Sequence, residues 1–147
     1  MKILLATHNP GKVNSYLKKL KDYNVELITL NDLKIDYKFE ENEETFEANA
    51  KGKALYYYHL TKLPTIADDS GFEIDYLNGE PGVKSRRWLG YEASDQELVE
   101  HLKKILPSIP KDKRSARFVA ATCFIKSLDE IIEVKNTKEG SLTDDFR

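Results

Sequence analysis

"KILLATHNPGKVNSYLKKL" (residues 2–20) holds two patterns side by side. Its opening, "KILLAT" (2–7), is a short apolar run that suits a buried strand. Asn9 is of the type that caps a helix. Pro10 suits the first helical position, where its missing N–H costs nothing. Val13, Tyr16, Leu17 and Leu20 then recur at i, i+3, i+4 and i+7, the stripe of an amphipathic helix. A second apolar run, "VELITL" (25–30), follows. Strand, helix and strand in this order predict a right-handed parallel βαβ unit.

The rest of the chain extends that reading. "YKFEENEE" (37–44) is acidic and reads as a loop. Thr45 to about Leu60 is helical in pattern, with Phe46, Ala50, Ala54 and Tyr57 as its buried stripe. Asn49 and Lys53 lie on the same side, an odd place for polar groups. "LPTIAD" (63–68) reads as a third strand, and "FEID" (72–75) as a further one leading into the loop "YLNGEPG". Ser94, with Glu97 three residues on, is a capping box that opens a helix continued by Leu98, His101, Leu102 and Ile105. "PSIPKDK" breaks it. "ARFVAATCFIK" and "EIIEVKNT" around "SLDE" predict an antiparallel hairpin. The expected class is α/β with a mixed sheet.

Composition bounds the possibilities. A length of 147 residues suits one domain, expected over 1–147. The net charge of −2, from 23 basic and 25 acidic residues, provides no basic field for wrapping nucleic acid. No apolar run is long enough to span a membrane, and "MKILLATHN" is too short for a signal peptide. The one cysteine, Cys123, lies in "FVAATCFI" and reads as a buried structural thiol. A reducing, intracellular setting fits.

Four places could carry chemistry, and the first three admit a plainer reading. "THNPGK" (7–12) joins a strand to a helix N-terminus, where free N–H groups and the helix dipole attract phosphate. Lys12 adds a positive charge, and Thr7 and Asn9 add hydrogen-bonding groups. The plainer reading is a capped helix with a surface lysine. Lys53, on the apolar side of its helix, is either paired with an anion or ligand or snorkels to solvent. Asp68 and Asp69 are read as ending a strand before Ser70 and Gly71. Ligands gather at the carboxyl ends of strands in open α/β sheets. One aspartate could hold Mg²⁺ and the other orient or deprotonate a water. The plainer reading is an Asx-turn in solvent. Arg86 and Arg87 could attract phosphate, while Trp88 is read as filling the edge of the core. Together these parts are equipment for Mg²⁺-assisted attack on a phosphate ester or anhydride.

"ATHNPGK", "TFEANAKGKA", "IADDSG", "PGVKSRRWLG" and "SARF", in this order and spacing, resemble the inosine-triphosphate pyrophosphatase family. The likeness runs from residue 2 to about 147. It implies an elongated α/β fold with a central mixed sheet flanked by helices. It also implies a homodimer, Mg²⁺ dependence and a cytoplasmic role in cleansing the nucleotide pool. The implied reaction is hydrolysis of ITP, dITP or XTP to the monophosphate and pyrophosphate. Carried over by residue, the phosphate segment falls on Thr7, His8, Asn9, Pro10, Gly11 and Lys12. The proton acceptor that also holds Mg²⁺ falls on Asp69, with Ser70 touching substrate and Lys53 near the triphosphate. The acidic metal ligand falls on Glu40, with Glu41 or Glu43 serving after a small shift.

The family's later Gly-Phe-Gly-Tyr-Asp and Ser-His-Arg segments, which grip the purine, are not met before the final "EGSLTDDFR". The expectation is a C-terminally shortened chain with impaired activity and little choice between ITP and ATP. The alternative is an inactive nucleotide-binding or scaffolding protein of the same fold.

Overall fold

The computed structural model describes residues 1–144. The last three residues of the expected 1–147 domain lie outside the described residues. The backbone falls into two compact units, Met1–Asp69 with Ala121–Lys135, and Ser70–Ala120 with the segment from Asn136.

The first unit opens with the expected βαβ pattern. Strand β1 (Lys2–Leu5) is followed by helix α1 (Pro10–Leu20) and strand β2 (Glu26–Thr29). The two strands pair in parallel, Lys2 opposite Glu26 through Leu5 opposite Thr29. Ile3, Leu4 and Leu5 are all buried, as a strand covered on both faces requires. Each such side chain contributes about 1.5–3 kcal/mol relative to exposure. The helical stripe of α1 is narrower than its spacing predicts. Val13, Tyr16 and Leu20 are half-buried, but Leu17 is 47% exposed.

Helix α2 (Phe46–Thr61) is capped by Thr45, whose hydroxyl accepts from the Ala48 N–H. Phe46, Asn49, Ala50, Lys53, Ala54 and Tyr57 are its buried residues, the predicted stripe together with its two polar oddities. Strand β3 (Thr65–Ile74) follows, then β4 (Ser115–Ser127) and β5 (Glu130–Ser141). The sheet order is β2-β1-β3-β4-β5. β3 runs parallel to β1, with Leu4 opposite Thr65 and Leu5 opposite Ile66. The two-residue link Leu128–Asp129 makes β4 and β5 antiparallel, so the sheet is mixed. Cys123 is buried in β4, and burial pushes its thiol up to about 11.

One expectation is corrected here. "LPTIAD" and "FEID" are not two strands: β3 runs unbroken through Asp68, Asp69, Ser70 and Gly71. The charges do not break it because the pleat sends adjacent side chains to opposite faces. Asp68 and Asp69 are therefore mid-strand. They lie past the carboxyl end of β1, which stops at Leu5 opposite Ile66.

The second unit carries helix α3 (Asp95–Ile105), which opens with the expected capping box between Ser94 and Glu97. Ile74, Ile109 and Ala116 form a core against which Phe72, Trp88, Leu102 and Leu142 pack. Trp88 meets Phe72 and His101 edge-on, so it fills the core as expected. Arg86 pairs with Asp95 at 2.7 Å and donates to the Ala93 carbonyl.

Candidate active site

The two aspartates meet different partners because they face different ways. The Asp68 carboxylate accepts from Lys12 Nζ at 2.7 Å and from the Tyr16 hydroxyl at 3.4 Å, both on α1. Burial, and then the Asp68 charge, push the Tyr16 phenol up to about 12. Asp69 Oδ2 accepts from Asn49 Nδ2 at 3.0 Å, on α2. Adjacent like charges are tolerated because each has its own helix and its own donors.

Asp69 is 7% exposed and shares a hydrogen bond with the Glu41 carboxyl. Glu41 also accepts from Lys53 Nζ at 2.6 Å. Burial raises the Asp69 carboxyl from an ordinary 3.8 to about 7, helped by the hydrogen bond and charge of Glu41. Asn49 and Lys53 oppose that rise. Burial would raise Glu41 too, but the hydrogen bond from Asp69 and the Lys53 ammonium outweigh it and hold Glu41 low. The pair thus keeps one proton, on Asp69, where two carboxylates cannot both ionise cheaply.

This has a consequence for stability. Asp69 holds its proton more tightly folded than unfolded. Its contribution is full below the unfolded value of 3.8 and is lost as pH rises through about 7. Glu41 contributes in the opposite sense, but below its ordinary 4.5. From pH 5 to 8 in EDTA, the chain should therefore lose about 2 kcal/mol relative to Asp69→Asn. Paired urea titrations at the two pH values check this. Parallel pH dependence of the two proteins would remove the proton from Asp69.

The acidic segment reaches the site by side-chain anchors, having no regular structure of its own. The Tyr57 hydroxyl donates to the Tyr37 carbonyl at 2.7 Å and accepts from the Phe39 N–H at 3.3 Å. Phe39 lies against Gly52, where an added Cβ would stand 3.4 Å from its ring. Asn49 Oδ1 accepts from the Glu43 N–H at 2.9 Å. These ties bring Glu41 to Lys53 and Asp69. Glu40 is exposed and accepts from Asn42, and Glu43 is exposed. Of the three acidic candidates, Glu41 is the one the fold sets beside Asp69.

The "THNPGK" segment is more self-contained than free helix N–H groups would be. Asn9 Oδ1 accepts from the Gly11 and Lys12 N–H groups at 2.9 and 3.4 Å, and Thr7 Oγ1 accepts from the Asn9 N–H. Pro10 has no N–H. An added Cβ on Gly11 would stand 3.2 Å from Asn9 Oδ1, so the small residue makes room for the cap. His8 Nε2 donates to the Ile35 carbonyl at 2.9 Å. A phosphate here would meet Lys12, the Thr7 hydroxyl and an Asn9 amide already engaged. Ser70, next along β3, is half-buried and falls in the second unit.

Among the described residues, no group of three or more histidine, cysteine or acidic side chains is placed to hold a metal. The Glu41–Asp69 pair offers hard oxygen donors in contact, with one proton where a cation would neutralise both. That donor set suits Mg²⁺. Tyr16, read as part of an apolar stripe, was missed as a polar partner. Its hydroxyl was the available signal, since a buried phenol needs one.

The α/β sheet thus carries paired carboxylates and two lysines just past the end of a parallel strand. The chain belongs to the Ham1 family, whose profile matches residues 3–147. It is 40% identical over 129 residues to the dITP/XTP pyrophosphatase of Yersinia pseudotuberculosis, covering 88% of this chain and 65% of that protein. It is 37% identical to the protein of that name from Escherichia coli, with the same coverage. The chain thus spans about two thirds of the length of these relatives, at 65%. Among solved structures, a HAM1 protein from Coxiella burnetii superposes with a TM-score of 0.89 at 30% identity, covering 100% of this chain and 75% of that one. A nucleoside-triphosphatase / dITP/XTP pyrophosphatase from Mycobacterium abscessus gives 0.81 at 37% identity, covering 96% and 74%.

Proposed function

We propose that the chain hydrolyses non-standard purine nucleoside triphosphates, ITP, dITP and XTP, to the monophosphate and pyrophosphate with Mg²⁺. The observation that carries this reading is the pairing of half-buried Glu41 with buried Asp69, flanked by Lys53 and with Lys12 on the other face of β3. The names of the relatives supply the substrate class. Asp69 and Glu41 would hold Mg²⁺, which supplies Lewis-acid neutralisation of phosphate charge. Asp69 takes the proton of the attacking water, and its raised affinity for a proton suits a base working near neutral pH. Asn49 keeps the Asp69 carboxylate aimed. Lys53 and Lys12 leave their carboxylate partners for phosphate oxygens. Thr7, His8, Asn9, Pro10 and Gly11 would contact the phosphates beside Lys12, and Ser70 would contact the substrate. The protein works as a homodimer in the cytoplasm, the first part of which light scattering tests. Among the described residues, no helix is long and apolar enough to cross a membrane.

Incubation with ITP, XTP, dGTP and ATP, with and without Mg²⁺, should yield monophosphate and pyrophosphate only with the metal, and with little preference for ITP over ATP. Orthophosphate as the product would overturn the reading in favour of a different nucleotide phosphohydrolase, and no product would overturn it in favour of a nucleotide-binding scaffold. Lys12→Ala and Lys53→Ala should each weaken triphosphate binding by about tenfold or more, and monophosphate binding less. Calorimetry with ITP and IMP separates the two. Equal weakening would reduce the lysines to supports of the fold.

A further inference from the structure

Asn49 is fully buried on α2, at 0% exposure, and both ends of its amide are in use. Its Oδ1 accepts from the Glu43 N–H at 2.9 Å, and its Nδ2 donates to Asp69 Oδ2 at 3.0 Å. The amide orientation follows from these partners, because a backbone N–H can only donate. One side chain therefore ties the acidic segment to β3. Glu41 lies two residues before the tied N–H and shares a hydrogen bond with Asp69 itself. Between Glu43 and the Thr45 cap there is no regular structure to fix the segment otherwise.

Resting on the reading above, we infer that Asn49 is a positioning residue. It holds the Asp69 carboxylate in one rotamer and keeps Glu41 within reach of it, so that two oxygen donors are preorganised for a divalent cation. Its bond engages Oδ2, one of the two carboxyl oxygens of Asp69, and so fixes how the carboxyl faces Glu41. An ionised aspartate at this place could only accept, and serine would have to donate and accept at a single oxygen, where the amide uses two separate atoms. A partner of this kind, one bond removed from the ligands, typically governs metal affinity as strongly as activity.

The test measures cation binding directly. Mn²⁺, standing in for Mg²⁺, is titrated into the nucleotide-free protein and followed by electron paramagnetic resonance. Asn49→Ala and Asn49→Ser are compared with the unsubstituted chain at a temperature where circular dichroism shows them folded. Both variants should bind Mn²⁺ about 10- to 100-fold more weakly. With ITP, kcat should fall by a similar factor while KM moves by less than about threefold. Mn²⁺ affinity within about threefold of the unsubstituted chain, in either folded variant, would overturn the inference. So would loss of fold in both variants, which would make Asn49 a structural residue. A chain that binds Mn²⁺ but hydrolyses no nucleotide would overturn the proposed function alone, and the Mn²⁺ ratio would still decide the role of Asn49.

Discussion

Asp69→Asn is expected to lower ITP hydrolysis by on the order of a thousandfold or more while leaving the fold intact. Asparagine keeps the shape and one oxygen, and Asn49 can still donate to that oxygen. What disappears is the charge that would hold Mg²⁺ and the base that would take a proton. The same substitution removes the buried carboxyl that Glu41 crowds. The variant should therefore be the more stable protein above neutral pH in EDTA. Loss of activity with gain of stability is the signature of a site kept under electrostatic strain for its chemistry. Steady-state turnover with ITP, paired with urea unfolding, reads both effects. Turnover near that of the unsubstituted chain would move the base to another residue.

Tyr57→Ala is expected to cost about 3–5 kcal/mol of stability, the range for deleting a large buried ring. Tyr57 is 1% exposed and packs edge-on against Tyr56 at 5.0 Å. Its hydroxyl fastens the backbone at Tyr37 and Phe39. Tyr57→Phe keeps the ring and loses only those two bonds, so its stability cost should be about 1–2 kcal/mol. Even so, the phenylalanine variant should lose activity out of proportion to its stability, because the segment carrying Glu41 is loosened. Urea titrations of both variants check the order. A loss below about 1 kcal/mol in the alanine variant would mean that the site collapses around the gap.

Much of the fold was legible because its signals are local. Asn9 and Pro10, Thr45, and Ser94 with Glu97 mark helix starts by their own chemistry. The buried stripe of α2 follows from spacing alone. β3 was misread because Asp-Asp-Ser-Gly is turn-like in composition, while its strand geometry comes from long-range pairing that composition does not contain. The site was half legible for the same reason. Lys53 and Asn49 could be singled out, since polar groups on an apolar stripe need partners. Glu41 could not be told from Glu40 or Glu43, because a loop has no periodicity. The choice among them is made by Tyr57 and Asn49, from another element. The capping of the "THNPGK" amides by Asn9 depends on a side-chain rotamer that no spacing reports.

Cys123 bears on how the protein can be handled. It is the sole cysteine of the chain, 1% exposed, and its thiol is held in the neutral form at ordinary pH. Thiolate is the form that attacks maleimides and iodoacetamide, so this residue is a poor target for either. A cysteine placed on the exposed Leu128 of the β4–β5 turn, 56% exposed, would then be alkylated almost alone. One fluorophore or spin label could thus be attached at a chosen point without first removing a native thiol from the core.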